Sequence, residues 1–320
     1  MHVVRQILVR LSALVLSLLV ASLLIFVALN ALPGDATSAI LGTNADPVAV
    51  AQLRARLGLD RPLLVRYVSW LAGLLRGDLG TSLVSGDAVS SLILPRLGVT
   101  VSLVAIATVL SVAIALPLGM YAAVHRRRAR GFVAATVSQL GMAVPAFVAG
   151  IVLVLVFAVR LQWLPAGGYV DIQRDPAEWL RHLVLPSLSL ALVNGSLLAR
   201  YVRSAFVEVL AEDWFRTARS VGWRLWPALW RHGVRNAATS LVTVVGLQLA
   251  TVFVGAVVVE QVFAIPGLGT LLLDQVTKRD LVVVQAIVML LVGVVLVIEA
   301  LVELAYLALD PRVRGRRELR

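Results

Sequence analysis

The 320-residue sequence contains no cysteine and four histidines, which stand far apart at His2, His125, His182 and His232. Without cysteine the chain has no disulfide framework, no thiol nucleophile and no thiolate metal site. No two histidines have the spacing that places a pair of metal ligands on one helical face. The glycine-rich motif ending in Gly-Lys-Ser/Thr that cradles nucleotide phosphates is also missing. We therefore expect no resident metal, no cofactor and no ATP hydrolysis in this chain.

Charged residues are scarce at 15%, whereas 60% of the residues are hydrophobic and the mean hydropathy is +0.92. This apolar share exceeds that of ordinary soluble domains and indicates an integral membrane protein. The net charge of +11 does not by itself indicate nucleic acid, because basic residues of a membrane protein usually follow its topology. We expect membrane lipid, and no nucleic acid, among the partners.

Six apolar stretches approach or exceed the roughly 20 residues that a helix needs to cross a bilayer. They lie near residues 9–31, 99–124, 132–159, 183–200, 237–259 and 281–308. Pro145 interrupts the third stretch and Pro186 the fourth, and each proline marks either a packing kink or a helix break that lines a pathway. The first stretch is too long for a signal-peptide core, so we expect it to be retained. The sequence predicts an all-α integral membrane protein with six transmembrane helices.

The distribution of charge predicts the orientation of these spans. One side of the membrane carries 18 Lys+Arg against 5 Asp+Glu, and the other carries 11 of each. The basic side comprises residues 1–10, 125–131, 200–236 and 310–320. The other side comprises residues 30–97, 160–182 and 260–280. Because positive loops stay inside, both termini are predicted to be cytoplasmic.

This topology divides the chain into three parts. Residues 1–98 hold the first span and an external region, in which the amphipathic runs Asp46 to Leu57 and Pro62 to Leu75 read as short helices. Residues 99–309 hold the other five spans as one core, and residues 310–320 form a basic cytoplasmic tail. We predict no independent soluble domain.

One long polar segment, at about residues 204–237, interrupts the core and must project from the bilayer. Ser204 is expected to cap a helix that runs to Val221, with Gly222 just past its end. An apolar stripe recurs at helical spacing, formed by Val207, Leu210, Trp214, Ala218 and Val221. Composition alone allows this helix either to lie on the bilayer or to dock into a groove of another protein.

The order of residues is more specific than the composition. The segment contains Glu208-Val-Leu-x-x-Asp213-Trp-Phe-Arg216-Thr217-Ala218-Arg219-x-x-Gly222, followed by His232 and Arg235-Asn236-Ala237. Other short motifs follow one another along the chain: Pro33-Gly34-Asp35, Leu57-Gly58-Leu59-Asp60, Gly77-Asp78-Leu79-Gly80-x-Ser82, Pro145-x-Phe147, Leu164-Pro165-x-x-Gly168-Tyr169, Val262-Phe263-x-x-Pro266-Gly267-Leu268-Gly269, Arg279-Asp280 and Leu309-Asp310-Pro311-Arg312. The segment resembles the EAA loop of permease subunits in binding-protein-dependent ABC importers, and the whole chain is similar to the dipeptide/oligopeptide/nickel permease family. Ser240 and Gly98 depart from it, because each stands where the family usually has proline.

The resemblance implies a type I ABC importer permease fold in the bacterial plasma membrane, and a non-catalytic subunit. The implied coupling element to an ATPase consists of Glu208, Asp213, Arg216, Thr217, Ala218 and Gly222. The implied partners are a second homologous permease, one or two ABC ATPase subunits that bind ATP and Mg, and an extracytoplasmic substrate-binding protein. The implied substrate is a di- or oligopeptide, with a nickel complex as the alternative.

Five polar residues in or near the later spans are further candidates. Gln248, Thr251 and Glu260 suit a translocation path, although Glu260 could equally contact external loops. Glu299 and Glu303 lie one helical turn apart, and acids at membrane depth are costly to expose to lipid. We favour a structural contact for this pair over a proton relay, which would instead indicate a proton-driven secondary transporter. An intramembrane hydrolase is disfavoured, because no histidine lies deep in a span.

Overall fold

The computed structural model describes residues 2–31, 46–56, 58 and 60–309, and most of this range is helical. Within these residues no β-strand forms, although Thr81 and Ala88 make one isolated antiparallel bridge. The all-α prediction is confirmed. The predicted motifs at residues 33–35 and the basic tail at 310–320 lie outside the described residues.

The helices follow one another with short connections. In chain order they are α1 (His2–Ala31), α2 (Pro47–Arg56), α3 (Leu63–Leu75), α4 (Val89–Val124), α5 (Ala129–Ala143), α6 (Ala146–Leu153), α7 (Pro176–Val209), α8 (Asp213–Ser220), α9 (Leu225–Ala228), α10 (Val234–Val262), α11 (Leu268–Thr277) and α12 (Leu281–Leu309). Two π-helical turns extend them, Val154–Arg160 after α6 and Leu229–Gly233 between α9 and α10. Both amphipathic runs predicted before the second span are therefore helical, as α2 and α3.

Five helices of the described chain, α1, α4, α7, α10 and α12, are long and apolar enough to cross a membrane. The pair α5 and α6 bends by 101° at its break, so it adds a sixth crossing only if both arms belong to one span. Pro145 explains this break, because proline disfavours helical angles at the preceding residue, and Val144 is extended with φ −86° and ψ 122°. Pro186 does not break its span, since α7 continues through it.

Two spanning helices extend well beyond the apolar stretches that predicted them. Helix α4 begins at Val89, nearly three turns before the predicted start at residue 99. Helix α7 begins after Asp175, whose carboxylate accepts the backbone N–H groups of Ala177 at 2.9 Å and Glu178 at 3.1 Å. Hydropathy marks the part of a helix that suits lipid, whereas the helix itself continues until a cap or a break ends it.

One compact unit comprises residues 1–100 and 266–297. Its apolar core joins the start of α4 to α11 and α12 through buried Val89, Ile93, Leu268, Leu271, Val283, Ala286 and Ile287. Helices α1 and α3 meet where the rings of Phe26 and Tyr67 lie edge to face at 5.4 Å. The Ser22 hydroxyl and the Tyr67 phenol share a 2.9 Å hydrogen bond beside them. Packing therefore holds α3 against the first spanning helix.

A second compact unit comprises residues 101–265 and 298–320. Its central element is α7, which packs against α5, α6 and α10. Helix α4 also approaches α7 closely at Gly119, where an added Cβ would lie 2.6 Å from the Val202 side chain and 2.7 Å from the Ala199 carbonyl oxygen. Both distances are shorter than a van der Waals contact, so α4 and α7 can pack this closely only with glycine at position 119.

Candidate functional site between α7 and α10

The predicted helix from Ser204 to Val221 is in fact two helices. Ser204 lies inside α7, which continues to Val209, and the chain turns before α8 begins at Asp213. Helix α7 continues because Phe206 and Val209 are buried on its inner face, and ending the helix at Ser204 would forfeit that packing. The predicted start of the helix was therefore wrong.

The Phe215 side chain holds one face of α8 in place. Phe215 is 3% exposed and belongs to an apolar cluster that includes Phe206 of α7 and Leu229 of the π-helical turn. Trp214 is half buried beside it, with the two rings edge to face at 5.7 Å. Val221, in contrast, is 76% exposed. The predicted continuous stripe does not form, because the turn before α8 changes which side chains point inward.

The opposite face of α8 is polar and open. The side chains of Asp213 and Arg216 are 96% and 71% exposed, and they form an ion pair of 3.4 Å across one helical turn. Such an exposed pair adds little stability, so both charges remain available to a partner. Thr217 on α8 and Glu208 near the end of α7 are exposed as well, whereas Ala218 is half buried. The residues predicted as a coupling element thus lie along one short stretch of surface.

Gly222 ends α8 in a conformation that favours glycine, with a φ of +101°. The Gly222 N–H donates to the Arg219 carbonyl oxygen, and the Trp223 N–H donates to the Ala218 carbonyl oxygen, both at 3.2 Å. This pair of hydrogen bonds is the Schellman motif, which satisfies the last carbonyls of a helix and needs a left-handed residue at this position. The predicted helix end beside Gly222 is confirmed.

After Gly222 the chain folds back around Trp223. The Arg231 guanidinium lies 5.8 Å from the centroid of the Trp223 ring, and the His232 ring meets it edge-on at 4.9 Å. Arg219 donates to the Trp223 carbonyl oxygen at 2.7 Å, which links this fold to α8. The π-helical turn at Leu229–Gly233 then leads directly into α10. Sequence reasoning missed these contacts, and the recurrence of tryptophan and arginine in this segment was the available signal.

The other predicted residues lie on α10 and α12. Gln248 is 7% exposed, and its backbone oxygen accepts a 2.7 Å hydrogen bond from Thr251 Oγ1. Glu260 is fully buried near the end of α10. Glu299 is half buried and Glu303 is exposed, one turn apart on α12. Gln248 lines a small cavity among α4, α7 and α10, whereas Thr251, Glu260, Glu299 and Glu303 do not line it.

Two of the short motifs meet through Ser82 and Asp280, which are 198 residues apart. Ser82 Oγ donates to Asp280 Oδ2 at 2.5 Å, and the Val84 N–H donates to the same oxygen at 3.3 Å. Asp280 Oδ1 accepts the Val283 N–H at 3.3 Å and so caps the start of α12. Asp280 is fully buried, and these donors replace the water that its carboxylate gives up. The two motifs therefore build one structural node.

A second pair of motifs meets where the loop after α6 contacts the end of α10. The Gly168 N–H donates to the Phe263 carbonyl oxygen at 2.8 Å. An added Cβ on Gly167 would lie 2.6 Å from the same oxygen, so the close approach requires glycine. Burial raises the pKa of the neighbouring Tyr169 phenol above its ordinary value. These motifs, too, hold the fold together.

Comparison with known proteins gives the family. Residues 115–315 match the family described as the binding-protein-dependent transport system inner membrane component, and residues 3–104 match the N-terminal region of such a membrane component. The chain is 38% identical over 308 residues to a probable peptide ABC transporter permease protein of Sinorhizobium fredii, covering 95% of this chain and 97% of the relative. It is 40% identical over 306 residues to the glutathione transport system permease protein GsiC of Salmonella choleraesuis, covering 95% and 97%.

Both the apolar helices and these matches agree with the predicted membrane location. Five helices of the described chain are suited to crossing a bilayer, and the matching family consists of inner membrane components. The protein is a multi-pass protein of the bacterial inner membrane. The chain belongs to the family of binding-protein-dependent transport system inner membrane components, the permeases of ABC importers.

Proposed function

We propose that this chain forms half of the translocation pore of an ATP-driven importer and that α8 docks onto an ATPase subunit. The geometry of α8 carries this proposal, because Phe215 fixes one face while Asp213 and Arg216 point outward. A surface-bound amphipathic helix would turn its apolar face to lipid, but α8 uses that face inside the protein. Its open polar face suits a cleft of a partner protein.

The packing around Phe215 offers a route by which motion of α8 would reach the membrane. The cluster joins Phe215 to Phe206 on α7 and to Leu229 just before α10. Close-packed side chains have low compressibility and transmit displacement. Helices α7 and α10 also pack against each other. A push on α8 by an ATPase would therefore shift the ends of two spanning helices together.

Each member of the coupling element has a distinct role in this proposal. Glu208, Asp213 and Arg216 supply charged contacts to the ATPase subunit. The Thr217 hydroxyl donates a hydrogen bond to the Asp213 backbone carbonyl oxygen at 3.0 Å. The Thr217 hydroxyl oxygen therefore remains able to accept a hydrogen bond from the partner. Half-buried Ala218 keeps the helix narrow enough for a cleft, and the turn at Gly222 fixes the end of the helix.

The remaining subunits follow from an importer of this design. ATP and Mg would be bound by one or two separate ATPase subunits, a second homologous permease would complete the pore, and an extracytoplasmic binding protein would deliver substrate. We place α8 and both termini in the cytoplasm, with the α5 and α6 pair as the sixth crossing. The excess of 18 Lys+Arg over 5 Asp+Glu on that side supports this orientation.

Peptides are the proposed substrate class, including di- and oligopeptides. The relatives named for peptide and glutathione transport favour this class. In the part of the chain that the structure describes, no group of three or more His, Cys, Asp or Glu side chains could hold a metal ion, so peptide is preferred over a nickel complex. Glu299 and Glu303 then serve as structural contacts. If ATP rather than a proton gradient drives import, uptake should continue when an uncoupler is added while ATP is maintained.

Charge reversal on the open face of α8 tests the docking proposal. Asp213→Arg should leave the permease in the membrane but abolish most of the substrate-stimulated ATPase activity of the assembled transporter. The matched control is Asp87→Arg, an exposed carboxylate outside the α8 segment, which should leave stimulation unchanged. Normal stimulation in Asp213→Arg would refute the proposed role of this face.

A further inference from the structure

A small cavity lies among α4, α7 and α10, within one compact unit of the chain. It has about 10 Å³ of room for a water-sized sphere. Its polar walls are Thr108 and Ser111 on α4, Asn194 on α7 and Gln248 on α10, and valine and leucine side chains close the rest. Ser111 is 3% exposed, Gln248 7% and Asn194 9%. Four polar side chains therefore converge at one point in an apolar helix bundle.

The hydrogen bonds around this cavity leave one donor and several acceptors. Gln248 Nε2 is buried and has no hydrogen-bond partner among the described residues. The Thr108 and Ser111 hydroxyls each donate to a carbonyl oxygen one turn earlier in α4, both at 2.7 Å. Asn194 Nδ2 donates to a carbonyl oxygen of α7 at 2.9 Å. The oxygens of these three side chains thus keep the capacity to accept a hydrogen bond.

We propose that this cavity binds one structural water molecule. The water accepts a hydrogen bond from Gln248 Nε2 and donates to Asn194 Oδ1 and to the hydroxyl oxygen of Ser111 or Thr108. A buried water needs roughly 10–15 Å³ of such space and typically makes about three hydrogen bonds. The cavity reaches the lower end of that volume, and the unpartnered Gln248 Nε2 together with the three side-chain oxygens supplies enough donors and acceptors. No charged side chain lines it, which argues against an ion, and the volume excludes any larger ligand.

The position of this water gives it a mechanical role. Asn194 lies about 22 Å along the helix axis from the end of α7 at Val209, and Gln248 lies about 21 Å from the start of α10 at Val234. The water therefore joins α7 and α10 at about the same distance from the two helix ends that border residues 210–233. Sliding of α7 along α10 would break this joint. This mechanical role depends on the proposed function, whereas the water site itself does not.

A high-resolution cryo-EM map of the assembled transporter in nanodiscs, at about 2 Å resolution, tests the site directly. We expect a density peak at hydrogen-bond distance, about 2.7–3.2 Å, from both Gln248 Nε2 and Asn194 Oδ1. Ordered waters at other buried polar groups in the same map serve as the internal standard. If those waters are visible but this site has no peak, or if Gln248 bonds Asn194 directly and closes the cavity, the proposal is wrong.

Radiolytic footprinting of the same complex gives a second readout that does not depend on ATPase coupling. A bound water generates hydroxyl radicals next to the cavity, so wild type should be oxidised at Val245 and Leu249, which line it. Gln248→Leu removes the donor without adding an oxidisable sulfur and should lower this oxidation by up to roughly fivefold, the limit set by one lost hydrogen bond. The matched control is Gln285→Leu, because Gln285 Nε2 is also buried and unpartnered among the described residues but does not line the cavity. Equal oxidation in the two variants would overturn the proposal.

Discussion

Removing the Phe215 ring should release α8 from its neighbours while leaving the spanning helices assembled. Phe215 is 3% exposed, and truncating a buried phenylalanine to alanine costs about 3–5 kcal/mol. Trp214 is half buried and contributes less to the same contact. Since about 1.4 kcal/mol corresponds to a tenfold change, local opening of α8 should become at least about a hundred times more frequent in Phe215→Ala.

Hydrogen–deuterium exchange of the purified transporter measures this opening. Peptides covering residues 213–223 should exchange at least about a hundredfold faster in Phe215→Ala, up to the rate of an unstructured peptide, whereas peptides from the middle of α7 should not change. Trp226→Ala is the control, because Trp226 lies in the same segment but is 39% exposed. Unchanged exchange in α8, or equal acceleration throughout α7, would refute the idea that Phe215 anchors α8 alone.

Three further substitutions test individual contacts. Gly222→Ala places a residue with a side chain in the left-handed conformation, which should destabilise the end of α8 by about 1–3 kcal/mol of local opening free energy. Hydrogen–deuterium exchange of the same peptides measures this change, and normal exchange would contradict the Schellman motif. Gly119→Ala should clash with α7 and lower the thermal unfolding midpoint, whereas the added Cβ of Gly98→Ala on the same helix meets nothing within 4 Å and should not lower it. Ser82→Ala removes one hydrogen-bond donor from buried Asp280 and should lower the free energy of unfolding by about 1–3 kcal/mol. The thermal unfolding midpoint measures this loss, and an unchanged midpoint would argue against a structural role for the contact between Ser82 and Asp280.

Hydropathy located the five long spanning helices of the described chain but did not set their ends. The apolar stretch ending near residue 200 identified α7, yet α7 reaches Val209 because Phe206 and Val209 pack against residues distant in sequence. Two prolines inside apolar stretches also looked alike. Pro145 breaks its helix and Pro186 does not, since the outcome depends on the packing around each proline, which the local sequence does not report.

In the candidate site, too, features set by neighbouring residues were predicted, whereas features set by residues distant in sequence were not. Gly222 was predicted as a helix end, because a left-handed residue at that position is a local requirement. Phe215 was missed, because its burial depends on Phe206 and Leu229, which the fold brings to it. The hydrogen bond between Ser82 and Asp280 was likewise not predicted, since each motif was recognised separately and the two residues are 198 positions apart in the sequence.

Site-specific cross-linking measures the contact between α8 and an ATPase subunit most directly. The chain has no native cysteine, so a single Thr217→Cys places one reactive thiol on the open face of α8. The account predicts that a thiol-to-amine cross-linker joins this residue to the ATPase subunit in the assembled transporter, and that Ser85→Cys, an exposed control outside the α8 segment, gives no such product. A fully assembled, active transporter in which Thr217→Cys cross-links no ATPase subunit would contradict the account.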